Sequence, residues 1–438
     1  MIGVGSDGLL KIPLSKISAT PNYYNTDVKY IVRIHTPNEV INVDLLVTIM
    51  MKRDYSKSLT DELYIECYIP MGVFIKRLYP YRENIEISIE RYWKTGSYIR
   101  KYKALLQNGL DKLSGNYRDT LSEENLNKLE MSISQFQCID KCYESMKNFY
   151  ISNVYNNTDV KSIMYNEFYT VLNNIKTASM DISKMGIDIS EPDNKSIYKN
   201  TIIPFDTKIL DLPSFLHEKE YGVYNSLIGT YIQYYGNSPI PNLYVYPVYD
   251  EYRVREVPKK LVIYNSNVAM YDMSRNTYMV DGDLLNIIAN SNTDSLNNVA
   301  NSIIDGGAGI SSSRVENLTN INAYPTDDGV YYDRNKNMSF DKAYSVRDNN
   351  DNYKYVGYKN NLFTERGNVV ARRFQIMKFE WNFCELDLIY PGMPVMFIFV
   401  SVHLGTVKMT GTVLSTAMVY NKANNNTVGF IVVAVKRA

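Results

Sequence analysis

The chain has 438 residues, with hydrophobic types at 45% and charged types at 21%, a balance that supports a folded core and excludes wholesale disorder. Lysine plus arginine equals aspartate plus glutamate at 47 each, so no net positive field draws the chain onto nucleic acid or anionic lipid. Length alone suggests about three domains.

At the start, MIGVGSDGLLKIPL has neither the basic opening nor the long apolar stretch of a secretion signal, and nothing in it marks export. Gly3, Gly5 and Gly8 spell a dinucleotide-binding loop, but only two residues precede them and Pro13 follows. The strand and helix that would cradle a pyrophosphate are therefore not expected. From Tyr30 to Glu90 the runs VKYIVRIHT, INVDLLVTIMM, DELYIECYI and NIEISIERYW alternate apolar with polar positions, which predicts half-buried antiparallel strands. A short helix is expected at Met71 to Tyr79, with Val73, Phe74, Arg77 and Leu78 on one face. Residues 1–95 thus read as a first β domain.

Residues 96–200 read as an α+β insert. Alternation is lost over 96–130, where SEENLNKLE predicts a helix capped by Ser122. A strand-like run from Ser132 to Asn156 follows. Thr158 and Asp159 then open a helix in which Val160, Ile163, Met164, Phe168, Val171, Leu172 and Ile175 recur at helical spacing. Residues 181–200 look like a connection.

The stretch 201–285 is crowded with aromatics, Pro and Gly, and returns to strands at PNLYVYPVYDEYRV and KKLVIYN, the first part of a second β domain. Residues 286–365 are rich in Asn, Asp and Ser and predict long outer loops. Residues 366–438 alternate again and supply the second domain's C-terminal strands, with hairpin turns expected at Gly405 and at NKANNN, 421–426. Within them LIYPGMPVMFIFVSV, 388–402, carries no charge. A membrane helix needs about 20 apolar residues, and this run is shorter and holds Pro391 and Pro394. It reads as a buried strand, with no stable membrane insertion.

No catalytic, cofactor-binding or metal-binding residue is predicted, and no cofactor. Gly306 to Gly309 lack the Gly-Lys-Ser/Thr of a phosphate loop. Asp348, Asn350 and Asn352 begin a calcium-loop spacing, but Tyr353 stands where the turn needs Gly and Lys359 where a bidentate Glu belongs. His35, His217 and His403 are scattered and read as surface or interface residues. Cys67, Cys138, Cys142 and Cys384 read as reduced, partly buried thiols. Carboxylate pairs such as Glu123-Glu124 and Asp327-Asp328 read as solvated starts and turns. The 39 tyrosines stand out against 14 Phe and 2 Trp. Tyrosine suits half-wet strands and subunit contacts, although an AT-rich genome would also raise Tyr, Asn, Ile and Lys together.

Three stretches together resemble a known family. DELYIECYIPMGVFIKRLYPYRENIEISIERYW (61–93) has a strand, a short helix and a Pro80-x-Arg82-x-Asn84 turn. LDLPSFLHEKEYGVYNSLIGTYIQYYGNSPIPNLYVYPVYD (210–250) carries Leu212-Pro213, Tyr221 to Tyr224 and Tyr246-Pro247. EWNFCELDLIYPGMPVMFIFV with VKMTGTVLS (380–416) carries Pro391-Gly-Met-Pro394. The three are similar to central hub proteins of phage baseplates, of the T4-like and jumbo-phage kind. The polar insert at 96–130 and the Asn-rich loops at 290–360 depart from that pattern.

The resemblance implies a mainly β fold with α insertions (α+β), in which two tube-type antiparallel β-barrel domains carry inserted accessory domains. It implies a non-enzymatic structural protein of the virion, in the tail baseplate, assembled in the host cytoplasm. Its implied partners are itself as a homotrimer, tail tube or tube-initiator proteins, the central spike protein and other baseplate proteins. The ring would join tube to spike and enclose a channel for transient passage of DNA without specific binding. LIYPGMPVMFIFVSV would then be buried within a domain and against a neighbouring subunit. The other class of reading is a tail-tip or receptor-binding adhesin, whose exposed tyrosines would stack on sugars; a cell-wall hydrolase has no residue to anchor it.

Overall fold

The computed structural model describes residues 28–93, 96–107, 131–174, 185–265 except 239 and 251, 278–297, 374–401 and 405–437 except 424 and 425, with short pieces at 3–4, 10–11, 310–312, 321–326, 329–332, 363, 367, 370 and 371. The fold is mainly β with a few helices. The helix expected at SEENLNKLE, His403 and the glycine and Asp/Asn motifs at 306–309 and 348–359 lie outside the described residues, as does most of GVGSDG.

In chain order the N-terminal strands are β1 (Lys29–His35), β2 (Val40–Asn42), β3 (Leu45–Asp54), β4 (Glu62–Pro70), β5 (Ile85–Trp93), β6 (Gly96–Leu106) and β7 (Met131–Asp140). They form one antiparallel run in the order β3-β4-β7-β6-β5-β1-β2. The expected boundary at residue 95 falls between β5 and β6, which pair from Ile85↔Ala104 to Trp93↔Gly96. Alternation places Ile49, Met51, Leu63, Ile65, Cys67, Ile85, Ile87, Tyr102, Ala104, Phe136 and Cys138 inside. Between β4 and β5 the expected short helix forms: Met71–Val73 widens to a π turn over Phe74–Leu78 and closes as a 3-10 turn at Tyr79–Tyr81. Phe74, Ile75 and Leu78 anchor it. Arg77, expected on that face, points out and pairs with Glu39 at 3.1 Å.

The middle of the chain makes a second, smaller core. Helix α1 (Lys141–Met146) is capped by Asp140, and α2 (Val160–Asn174) buries Val160, Ile163, Met164, Phe168, Val171 and Leu172 as its spacing predicts. Asp159 starts α2 by accepting the Ser162 amide at 3.0 Å. A two-stranded ribbon, β8 (Tyr150–Thr158) with β10 (Tyr198–Lys208), lies beside a three-stranded sheet in which β9 (Gly186–Ile189) pairs parallel to β12 (Pro241–Pro247) and β11 (Ile228–Tyr234) pairs antiparallel to β12.

The C-terminal unit uses β13 (Lys260–Asn265), β14 (Tyr278–Asp281), β15 (Leu284–Asn297), β16 (Gln375–Asn382), β17 (Pro394–Ser401), β18 (Gly405–Asn421) and β19 (Asn426–Arg437). Pairing runs β17-β13-β15-β16-β19-β18, and β18 pairs back onto β17. The expectation of wholly antiparallel strands is corrected here, because β13 lies parallel to both β15 and β17. The physical reason is that β13 is not a hairpin neighbour of either strand, so no tight turn dictates its direction. Both expected hairpins form, with Ser401 opposite Gly405 and Asn421 opposite Asn426.

Strand β18 joins the two β units. One edge pairs with β19 from Met409 to Asn421; the other pairs with β17 over Gly405 to Thr412 and with β3 over Ser415 to Asn421. A bulge at Leu414 marks the handover, and its carbonyl accepts the Tyr55 amide at 2.9 Å. From Ile389 to Phe397 the uncharged run is largely covered by its own chain. Val395 and Phe397 face the main core, while Met396 and Ile398 pack on a small cluster of Val262, Tyr264 and Ile288.

Candidate functional site at the junction of the β units

Three arginines project into the seam between the units. Arg53 continues the inward row Ile49, Met51; Arg91 continues Ile85, Ile87, Ile89; Arg100 precedes Tyr102 and Ala104 on the same face. Their partners sit on the segment after β16, where a 3-10 turn at Leu386–Leu388 holds Asp387 inward beside Glu385. Arg53 forks onto both oxygens of Asp61 at 3.1 Å, reaches Asp387 Oδ1 at 2.7 Å and donates to the Leu386 carbonyl at 3.0 Å. Arg91 Nη1 donates to Glu385 at 2.6 Å, and Arg100 Nη1 donates to Asp387 Oδ1 at 3.0 Å.

Tyrosines complete the shell. Tyr98 donates to Asp387 Oδ2 at 2.5 Å and Tyr231 to Asp61 at 3.1 Å, while the Arg100 guanidinium lies 4.4 Å from the Tyr98 ring centre. Burial alone would raise the Asp387 carboxyl, but Arg100, Arg53 and Arg91 outweigh it and hold that group well below the ordinary carboxylate range. Arg53 and Arg91 rise well above their usual range; burial opposes this, and the surrounding acids overcome it.

Three cations face three anions here, each in contact with its opposite, and the adjoining cavity of about 30 Å³ has room for one water. Every carboxylate of the cluster is engaged by an arginine. Its chemistry is cohesion: removing one member leaves an uncompensated buried charge. Gly236 adds a contact from the middle unit, its carbonyl accepting from Arg100 at 3.0 Å.

The residues singled out in the sequence fall elsewhere. His35 is partly buried with Nε2 2.7 Å from Ser88 Oγ. His217, expected at a surface or interface, is 1% exposed, and its Nδ1 accepts the Val223 amide at 3.1 Å. The π turn at Phe215–Glu220 rotates it inward onto the middle core. All four cysteines are free and buried, and Cys384 leads directly into the acidic turn. None of the six charged residues was anticipated. The available signal was three arginines in phase with apolar positions of their strands.

No family model matches the chain, and no curated protein sequence matches it. Among solved structures it is similar to a tail protein from Neisseria meningitidis MC58, at 8% identity and TM-score 0.43 over 92% of this chain and 96% of that one. It is similar to the 43 kDa tail protein of prophage MuSo2 from Shewanella oneidensis, at 8% identity and TM-score 0.44 over 92% and 98%. A third is an E. coli component of the type VI secretion system, described as structurally similar to the T4 tail proteins gp27 and gp5, at 6% identity and TM-score 0.42 over 92% and 76%. These are remote likenesses. No helix among the described residues is long and apolar enough to cross a membrane.

Proposed function

We propose that the chain is a structural component of a phage tail, the baseplate central hub. Three copies would close into a ring between tail tube and central spike, around the channel through which DNA leaves. The first tube-type unit would be carried by β1 to β7 and the second by the cyclic pairing of β13 and β15 to β19. Strand β18 is the observation that carries this reading. By pairing with both units along one edge, it makes them one continuous sheet, as a ring segment that transmits force needs.

Supporting the assembly is a row of exposed apolar side chains on the outer face, where Leu45 stands opposite Tyr68 and Tyr68 opposite Ile133. They are 52%, 40% and 44% exposed, an unusual place for large apolar groups on a monomer. Near-zero net charge suits close stacking and a channel that DNA slides through instead of sticking to.

A receptor-binding tail tip is the second reading. It is favoured by Tyr165 and Tyr169, both exposed and stacked with ring centres 6.2 Å apart. Imaging of particles labelled on this chain separates the two. Density on the tail axis at the base of the tube supports the hub, and density at fibre ends overturns it.

A further inference from the structure

A groove of about 570 Å³ lies between the small sheet of the middle unit and the C-terminal strands, within the range of about 300–1,000 Å³ typical of ligand sites. Its floor is one face of the β9–β12 pair, with Asp188 opposite Tyr244, and Ser190 just beyond β9. The turn Asp250 to Lys259 and Tyr390 make the walls. Tyr244 and Tyr390 stack at 6.2 Å, Lys259 caps the Tyr235 ring at 4.3 Å, and the Tyr390 hydroxyl donates to the Lys259 carbonyl at 2.8 Å. The aromatic wall is therefore fixed in place.

Arg253 is the anomaly. Four arginines among the described residues are buried, and Arg53, Arg91 and Arg100 each meet a carboxylate. Arg253, 7% exposed, meets none within ion-pair distance. Its Nη1 donates to Ser190 Oγ at 2.7 Å, and its Nε has no acceptor. Asp250, the nearest carboxylate, turns its Oδ1 to the amides of Tyr252 and Arg253 at 2.8 and 3.2 Å and acts on the guanidinium only through its field. A guanidinium buried without a direct ion pair is costly, and it keeps donors that a carboxylate's oxygens match.

Apart from Lys259, whose ammonium lies over the Tyr235 ring, the other charged groups of the rim are acidic. Asp188, Glu256 and Asp283 line the groove without an ion pair among the described residues, whereas Glu191 is held by Lys161 and Lys195. A buried arginine without a direct ion pair, set within aromatic walls and flanked by acids, complements a ligand that carries both charges along a short extended backbone. We infer that this groove binds a polypeptide segment that presents a carboxylate to Arg253 and a neighbouring basic side chain to Asp188 or Glu256. The groove's chemistry does not depend on the chain being a hub.

The probes are three acetylated peptides: Gly-Lys-Tyr-Leu with a free C-terminus, the same peptide amidated, and amidated Gly-Lys-Tyr-Asp. Binding to the full chain is followed by calorimetry. A carboxylate-bearing peptide is expected to bind at least ten-fold more tightly than the amidated Leu peptide, and which of the two does so distinguishes a chain terminus from a side-chain carboxylate. Arg253→Met should erase the difference and Arg253→Lys should reduce it several-fold. Asp188→Asn should weaken the Lys peptides but not versions with Ala in place of Lys. Equal binding of acid and amide by the wild-type chain, or no binding of either carboxylate peptide at millimolar concentration, overturns the proposal without reliance on any variant's folding.

Discussion

Arg53 and Asp387 lie 334 positions apart in sequence and 2.7 Å apart in space. The bond ties strand β3 of the N-terminal unit to the acidic turn that precedes β17. Strand β18 crosses the same seam through backbone pairing. Two independent devices, a shared strand and a buried charge cluster, therefore hold the same seam.

Loss of the Arg53 guanidinium should expose that dependence. Arg53→Met strands Asp61, 5% exposed and left with the Tyr231 hydroxyl, while Asp387 keeps Arg100 and Tyr98; the expected cost of that orphaned charge is about 3–5 kcal/mol of stability. Adding Asp61→Asn should recover part of it, since one orphaned charge disappears. Urea denaturation of both variants checks this. A single variant within about 0.5 kcal/mol of wild type, the range of ordinary surface changes, would show that the cluster does not hold the seam.

A different kind of closeness occurs at Gly411, where β17, β18 and β19 meet. An added Cβ would stand 1.8 Å from the Ala434 carbonyl oxygen, a backbone atom that cannot swing away. Gly411→Ala should therefore push β18 from β19 and destabilise the chain by about 1–3 kcal/mol, as overpacking does. Gly236→Ala is no control, because that residue has φ of 57°. An exposed control such as Lys422→Ala should change the melting temperature little.

The strands were legible because side chains alternate across a half-buried sheet, so β3, β4 and β5 stand out by apolar residues at every second position, and β17 by an unbroken apolar run that packs on both faces. Helix α2 was legible for the analogous reason. Parallel pairing of β13 was not, since a short buried strand has the same composition whichever way its neighbours run. The charge cluster was half legible. Arg53, Arg91 and Arg100 occupy inward positions, a conflict visible along each strand, but Glu385 and Asp387 look like ordinary loop acids. Only the fold brings the two groups together. His217 was missed because the widened turn at Phe215–Glu220 shifts which side chains point inward.

His217 makes stability depend on pH. Burial lowers it to about 4 in the folded chain, against roughly 6.5 when exposed. The unfolded state therefore takes up the proton first as pH falls. Stability from this group is complete above about pH 6.5 and is lost between there and pH 4, by about 3 kcal/mol if the full shift is expressed. His217→Asn keeps an acceptor for the Val223 amide and cannot titrate. The difference in urea midpoints between the two proteins should change across that window. A constant difference would mean that His217 titrates alike in both states.

The outer row Leu45, Tyr68 and Ile133 offers the most direct test of assembly, since these side chains contribute little to their own chain's core. Tyr68→Lys with Ile133→Lys should leave the melting temperature of the isolated chain within a few degrees of wild type, because neither side chain is buried. Should the row be a subunit contact, the pair of like charges would be carried into an apolar interface and repeated at every copy. Light scattering should then find a trimer for the wild-type chain and a monomer for the double variant at the same concentration. A double variant that still forms the wild-type oligomer would remove this face from the interface and leave the ring to be closed by another surface.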